Sequence, residues 1–295
     1  MPNVTGRVSA AFVEANGQTR LSDRFHAYPL KIAKAFPFEG GQLGVYVMDA
    51  SPGIMSGDHY ELDWRFGEQT NVFITNQSYT KVHPSRAEAG AAGETMPVLS
   101  RQKQTLRLQR GSYVEYMPEP LMLYKDAAFL SSTEVHLEPG SALLMSDVVC
   151  PGRTQRGEVF QYDRFQNKLS VFYSGELIYS GRQRIEPARQ RLGGIGSWGA
   201  YTHSGTLYLF SDLADAALAE RLREFIQLEV RDNTAQAHMP MPAERLYTGV
   251  SRTYKHGLVL SILGHKVYEI QRLLDAAWQW LRRELFDKPP LLVRK

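Results

Sequence analysis

The densest group of ionisable side chains lies in SPGIMSGDHYELDW, residues 51–64, where Asp58, His59, Glu61 and Asp63 fall within six positions. Carboxylates and imidazoles at such short spacing can hold a metal ion or act as an acid and base pair. If this stretch forms a strand, its side chains alternate between faces, so the last three share one face and the apolar residues between them share the other. The pattern therefore favours a solvated strand face over a metal site for these three.

Asp58 differs from its neighbours because it precedes the strand. It also lies an even number of positions from the buried apolar residues, so strand alternation would point its side chain inward with theirs. It follows a glycine-containing turn whose backbone N–H groups can hold its carboxylate. A carboxylate directed inward needs a hydrogen-bond partner or a passing cation. Taken alone, the stretch favours a turn-capping role for Asp58 and leaves an interior role open.

Sites for tightly bound transition metals and for cysteine chemistry are not predicted. The eight histidines include no HxH or HxxxH pair, so their spacing lacks a ready-made metal site. The single cysteine, Cys150, follows an apolar strand and is typical of a buried small residue rather than a nucleophile. Asp147 and Arg153 lie near it in the sequence and are candidates for a charge pair.

The elements that must position these residues are mainly strands. Three stretches share a layout of strand, glycine turn and second strand, around Gly67, Gly111 and Gly140, and each first strand has apolar residues at every second position. The glycine supplies the positive φ with which the chain reverses. The recurrence predicts a mainly β fold, an elongated helical stack of strands that resembles a β-solenoid.

Helical periodicity appears only in the C-terminal half of the chain. Residues 212–229 and 265–286 each place apolar side chains on one face, with Ser211 available to cap the first helix. We expect both helices to pack on the strand stack. No shift in composition marks a boundary, so residues 1–295 are interpreted as a single domain.

Composition narrows the class of protein. Apolar residues make up 43% and charged residues 22%, the balance of a globular protein. No run reaches the roughly 18 uncharged apolar residues of a membrane helix, the N-terminus lacks a signal-peptide core, and one cysteine fits a reducing compartment, so a cytoplasmic protein is expected. The formal net charge of +3 is dispersed along the chain, which predicts neither a nucleic-acid partner nor a membrane partner.

Four segments in this order, PGIMSGDHYEL, ITNQSYTKVHPS, SDVVCPGR and YTHSGTLYLF, resemble the UreD (also called UreH) family of urease accessory proteins. The resemblance extends along nearly the whole chain, to LYTGVSRT, GLVLSILG and the closing PPLLVRK. It implies a non-enzymatic maturation factor that joins UreF and the GTPase UreG, docks on apo-urease and delivers Ni²⁺. The implied fold is a helical stack of strands with two helices. Internal polar passages are expected to carry Ni²⁺ transiently, with no tightly bound cofactor.

The resemblance also places the motif positions of the family on particular residues of this chain. These positions are Gly57, Asp58, Thr80, Lys81, Asp147, Cys150, Gly152 and Arg153. Asp58, Asp147 and Thr80 are the candidates for the metal passage, because oxygen donors hold Ni²⁺ briefly and release it. Ser56 stands where the family often has glycine, and His83 stands where many members have an aromatic residue, which adds a nickel-compatible imidazole.

Two further interpretations stay open at the level of sequence. In the first, the chain is a purely structural adaptor between UreF and urease that never contacts metal, and Trp278 and Trp280 anchor an interface or pack in the core. In the second, the chain is a stand-alone hydrolase that uses Asp58 with Asp147 as an acid and base pair. The hydrolase requires both carboxylates to converge in one pocket.

Overall fold

The computed structural model describes residues 4–89, 95–194, 196–235 and 246–293. These residues form nineteen strands and two α-helices. The strands are β1 (Gly6–Ala15), β2 (Gln18–Ala27), β3 (Leu30–Pro37), β4 (Leu43–Asp49), β5 (His59–Phe66), β6 (Asn71–Asn76), β7 (Thr80–Val82), β8 (Ala87–Ala89), β9 (Thr95–Pro97), β10 (Ser100–Leu108), β11 (Tyr113–Tyr116), β12 (Leu121–Leu123), β13 (Ala128–Leu137), β14 (Ala142–Cys150), β15 (Arg164–Tyr173), β16 (Glu176–Ile185), β17 (His203–Phe210), β18 (Leu246–Arg252) and β19 (Gly257–Gly264). The helices are α1 (Ala216–Ala235) and α2 (Val267–Phe286).

Two large sheets contain most of the strands. Sheet A has seven strands in the order β16-β15-β13-β10-β5-β1-β2, and its five middle strands run parallel. Sheet B has ten strands, with the main order β18-β19-β17-β14-β11-β6-β4-β3. In sheet B, β4, β6, β11 and β14 run parallel, whereas β17, β19 and β18 follow antiparallel.

The three strand-turn-strand units connect the two sheets. The pairs β5 and β6, β10 and β11, and β13 and β14 each begin in sheet A and continue into sheet B. Backbone hydrogen bonds join one turn to the next, from Tyr113 N–H to the Thr70 carbonyl at 2.7 Å and from Ala142 N–H to the Ser112 carbonyl at 2.8 Å. The mainly β fold with two helices is confirmed, and the finer description of a β-solenoid-like stack stays a prediction.

The turn glycines serve two different purposes. Gly111 and Gly140 have φ values of 68° and 75°, as the sequence predicts. Gly67 does not have a positive φ, and in its turn Gln69 takes φ of 57° instead. Glycine is needed at position 67 because a Cβ there would lie 2.8 Å from the carbonyl oxygen of Phe12.

The helices cover the face of sheet B that points away from sheet A, and a second hydrophobic cluster fills the space between them. Trp278 and Trp280 are 5% and 9% exposed in this cluster, so they pack in the core and do not anchor an exposed interface. Helix α1 begins later than predicted because Asp215, not Ser211, caps it: its Oδ1 accepts from Leu218 N–H at 2.7 Å. None of the described helices is both long and apolar enough to cross a membrane.

Candidate functional site

The acidic cluster of residues 59–63 lies on the outer face of sheet A. Glu61 pairs with Arg7 at 2.5 Å, and Asp63 pairs with Arg107 on the neighbouring strand. The apolar residues between them point into the core. These carboxylates therefore belong to surface ion pairs, as predicted for a solvated strand face.

The interior between the two sheets is not filled by hydrocarbon alone. Two cavities of about 190 and 420 Å³ lie there, here named cavity 1 and cavity 2. Cavity 1 is bordered by both polar and apolar side chains from both sheets, and cavity 2 lies toward β16, β17, β18 and β19. Both cavities are bordered by Asp147, Asn167, Leu169 and Tyr208, so they meet at this position.

A row of polar side chains crosses the inner face of sheet A and leads from one cavity to the other. Its members lie opposite one another on five adjacent strands: Tyr60, Gln102, Ser131, Asn167 and Gln183. The first four border cavity 1, and the last two border cavity 2. Four strand spacings of about 4.8 Å give the row a length of about 19 Å. Such a row provides hydrogen-bonding groups along the stack where an apolar core would be expected.

Asp147 is the carboxylate at the meeting point of the two cavities. It comes from β14 of sheet B, and its Oδ2 accepts a hydrogen bond of 2.6 Å from Nδ2 of Asn167 on β15 of sheet A. Burial raises the pKa of Asp147 to about 6, while the bond from Asn167 acts in the opposite direction. The carboxylate pairs with no cationic side chain of the described residues, since Arg153 binds Glu158 instead at 2.7 Å. The expected pair of Asp147 with Arg153 is therefore wrong.

Thr80 and Lys81 also border cavity 1. They belong to the short strand β7, which pairs with β12. Thr80 Oγ1 accepts a hydrogen bond of 3.2 Å from Nδ2 of Asn76. The carboxylates of Asp49 and Glu119 border the same cavity. The structure thus brings Thr80, Lys81 and Asp147 around one interior space.

Asp58 lies outside that space. Its Oδ2 accepts a hydrogen bond of 2.7 Å from Met55 N–H, and its own N–H donates to the Met55 carbonyl at 3.0 Å. Gly57 completes this turn with φ of 83°. Asp58 borders neither cavity, although it lies close enough to Tyr60 to act on the pKa of that phenol. The turn-capping interpretation is confirmed, and a part for Asp58 in the metal passage stays a prediction.

The remaining motif residues shape the chain beside the site. Cys150 is buried, and burial raises the pKa of its thiol to about 12, so it is a protonated core residue at neutral pH. Gly152 has φ of 144°, and a Cβ there would lie 2.1 Å from the Glu158 carbonyl oxygen. Arg153 stacks over the ring of Tyr124 at 4.2 Å. These residues hold the loop that follows β14.

The His83 ring takes part in local contacts. Its Nε2 lies 3.1 Å from the Pro52 carbonyl oxygen, and its ring packs against Tyr124 with centroids 5.0 Å apart. It borders neither of the two cavities. An added ligand role for His83 stays a prediction.

The hydrolase interpretation loses its geometric basis, because Asp58 and Asp147 do not border a common cavity. The described residues also contain no group of three or more His, Cys, Asp or Glu side chains arranged to hold a metal ion. The oxygen donors of the interior are instead spread out, with Asp147 at the junction of the cavities.

Sequence reasoning missed Asn167 and the polar row. A signal was present: in the strand RFQNKLSVFY, Asn167 occupies the inward parity of Phe165, Leu169 and Val171, which are buried. A polar residue at an inward position of an otherwise apolar strand face indicates an interior hydrogen bond or cavity. The register between strands, which aligns the row, is not visible in any one strand.

Comparison with known proteins agrees with the sequence motifs. The family model described as UreD urease accessory protein matches residues 4–295. Urease accessory protein UreD of Acetivibrio thermocellus is 31% identical over 93% of this chain and 97% of its own length. UreD of Bacillus sp. strain TB-90 is 29% identical over 99% and 98%, and UreH of Helicobacter hepaticus is 23% identical over 70% and 77%. The chain therefore belongs to the UreD family of urease accessory proteins.

Proposed function

We propose that this chain acts in urease maturation by passing Ni²⁺ through the space between its two sheets. Membership of a family of urease accessory proteins supports the role in maturation. The observation that carries the passage is the pair of interior cavities that meet at the Asp147 carboxylate. Nickel is cargo in this proposal, so no residue is assigned a catalytic role.

The chemistry of the interior suits transfer better than storage. A cage of thiolates and imidazoles would hold Ni²⁺ tightly, whereas single carboxylates, hydroxyls and amides bind it more weakly. Asp147, Thr80 and the Asn167 amide are donors of this weaker kind, and they border the same cavity. An approaching divalent cation favours the ionised form of Asp147, so entry of the ion at mildly acidic pH displaces a proton from that carboxylate.

The protein is proposed to work in the cytoplasm within a complex. Its partners are UreF, the GTPase UreG and the subunits of apo-urease, as the family resemblance implies. In such a complex one end of the interior passage receives the ion and the other end faces urease. The coarser role, participation in the urease maturation machinery, is supported by the family alone.

Co-expression of urease with and without this chain tests the proposed role. At limiting nickel, the purified urease is expected to contain less Ni²⁺ and to be less active when the chain is absent. If urease made without the chain had the same nickel content and activity, the role in maturation would be refuted.

Asp147→Ala tests the passage separately from assembly. We expect the variant to bind urease and the accessory proteins normally but to activate urease more slowly at limiting nickel. Asp63→Ala, which removes a carboxylate from the outer face, is the matched control and is expected to activate at the wild-type rate. Normal binding and normal activation after neutralising Asp147, Thr80 and Asp58 together would favour the structural adaptor.

A further inference from the structure

One hydrogen bond joins the two sheets where the cavities meet. The Asn167 amide on sheet A donates to the Asp147 carboxylate on sheet B over 2.6 Å, and both side chains border both cavities. Any ion that moves between the cavities passes this pair. We propose that Asn167 is a latch that holds the Asp147 carboxylate while the passage is empty and gives way to a divalent cation during transfer.

The inference rests on the proposed nickel passage and identifies the residue that controls it. Asparagine suits the task because its amide carries two N–H donors at one end and a carbonyl acceptor at the other. In the empty passage the N–H end satisfies the carboxylate. Rotation of the amide by about 180° presents Oδ1 instead, so the same side chain can help to coordinate a cation beside Asp147.

The surroundings of Asp147 leave this amide as its principal partner. Tyr116 on β11 and Tyr208 on β17 also face the carboxylate, and burial raises the pKa of both phenols, that of Tyr116 to about 12. Both phenols are therefore neutral in the range in which Asp147 titrates. Tyr116 donates its hydroxyl hydrogen to Gln104 Oε1 at 2.9 Å. Within the described residues, no cationic side chain is bonded to Asp147: Lys81 borders cavity 1, and Arg182, which borders cavity 2, donates to Gln166 Oε1 at 3.2 Å.

The position of Asn167 in the polar row supports the same role. Ser131 precedes it on the cavity 1 side and Gln183 follows it on the cavity 2 side, each on the adjacent strand. Neighbouring Leu169 is apolar and cannot coordinate an ion. Asn167 is therefore the member of the row that can exchange a hydrogen bond for a metal contact at the junction.

Asn167→Asp in the full-length chain tests the latch. The substitution keeps an oxygen, removes the N–H donors and places a second carboxylate beside Asp147. Two adjacent carboxylates are expected to bind a divalent cation tightly and to release it slowly. We expect Ni²⁺, added as the chloride and measured by equilibrium dialysis, to bind at least about tenfold more tightly than to wild type. Urease activation at limiting nickel is expected to slow. Gln166→Glu adds the same charge to the same strand on the opposite face and is expected to change neither.

Asn167→Leu provides a second test that does not bury an extra charge. It removes both the donor that holds the Asp147 carboxylate and the oxygen that can turn toward a cation, so urease activation is expected to slow by about threefold or more at limiting nickel and to stay near the wild-type rate at saturating nickel. A structural defect alone would lower activation equally at both nickel concentrations. Asn167→Gln, which retains the amide, is expected to restore part of the activation rate at limiting nickel.

Three results decide the proposal. If Asn167→Asp and Asn167→Leu both match Gln166→Glu while Asp147→Ala still slows activation, the latch is refuted and the passage stands. If the Asp147 and Asn167 variants all match wild type while activation still requires the chain, the passage and the latch both fail and the adaptor is favoured. If Asn167→Asp does not fold, a wild-type activation rate of Asn167→Leu at limiting nickel still refutes the latch.

Discussion

Glu115, which is buried, and Asp147, which is half-buried, are carboxylates on opposite faces of sheet B, and their surroundings differ. Glu115, on the helix side, is 0% exposed and pairs with Arg282 of α2. It also accepts hydrogen bonds from Gln42 Nε2 at 2.8 Å and from Trp278 Nε1 at 3.0 Å. Asp147, on the side of sheet A, has one amide donor among the described residues and two cavities beside it.

The difference distinguishes a carboxylate that serves only to hold the structure together from one that can still bind a ligand. Every favourable site around Glu115 is occupied by the protein, so this carboxylate attaches α2 to the sheet and has no capacity for a ligand. Asp147 has capacity left because it is neither neutralised by a cation nor packed against hydrocarbon on all sides. Burial and charge alone therefore do not show whether a carboxylate can accept a ligand, whereas the number and charge of its partners do.

Arg282→Met is expected to have the largest effect on stability. It leaves the Glu115 charge buried without its cation, which should lower the free energy of unfolding by about 3 to 5 kcal/mol. Urea denaturation measures the change. Arg283→Met, at the exposed neighbouring position, is the matched control and should cost less than about 0.5 kcal/mol. Equal losses in the two variants would show that the buried pair contributes no special stability.

Asp147→Asn should change the pH dependence of stability. The folded-state pKa of about 6 lies above 3.8, the ordinary value for an aspartate, so the folded protein retains the proton to higher pH and loses stability as pH rises through this window. A difference of about two pH units corresponds to about 3 kcal/mol. The variant has no titrating group at position 147. The difference in free energy of unfolding, variant minus wild type, is therefore expected to be larger at pH 7 than at pH 4 by about 3 kcal/mol. Urea unfolding curves that differ by the same amount at both pH values would contradict this.

Trp278→Phe tests how much one partner of Glu115 contributes. The ring remains able to stack on Phe73, but the 3.0 Å bond from Nε1 is lost. Because Arg282 still neutralises the carboxylate, we expect a loss of about 1 kcal/mol. Trp280→Phe, which leaves the Glu115 environment unchanged, serves as the comparison in urea denaturation. A loss near that of Arg282→Met would show that the indole is essential to the network.

Arg107→Ala should have the smallest effect. It breaks the ion pair with Asp63 on the outer face of sheet A, where the side chains are 52% and 40% exposed. Exposed pairs contribute about 0 to 1 kcal/mol because water screens them. Both the unfolding midpoint and the rate of urease activation should remain close to wild type. A clear loss of activation with unchanged stability would assign a function to this outer face.

Much of the fold could be predicted from local patterns. The alternation around Trp64 predicted a strand with one buried face, and the turn glycines at positions 111 and 140 predicted where the chain reverses. The start of α1 was misplaced because Ser211 and Asp215 are both good caps, and the cap used depends on where the preceding strand ends. Because both residue types are favourable N-caps, the local sequence does not decide which one is used.

The candidate site was only partly predictable. Asp147 and Thr80 were identified through their family motif positions, and the structure places both beside one cavity. Its position in the sequence pattern leaves an interior role open for Asp58, but the turn ahead of β5 uses its carboxylate locally. Alternation predicts the direction of a side chain only within a strand, and Asp58 lies one residue before β5 begins.

Local patterns in the sequence are enough to assign the inward positions within each strand, the places where the chain turns, and the family. The contacts of Glu115 with Arg282 and of Asn167 with Asp147, and the meeting of the cavities there, appear only in the folded chain. Each of these contacts joins residues on separate elements, 167 positions apart for the ion pair and 20 for the hydrogen bond. Strand register and the packing of one sheet on another bring such residues together, and neither is encoded in a local pattern.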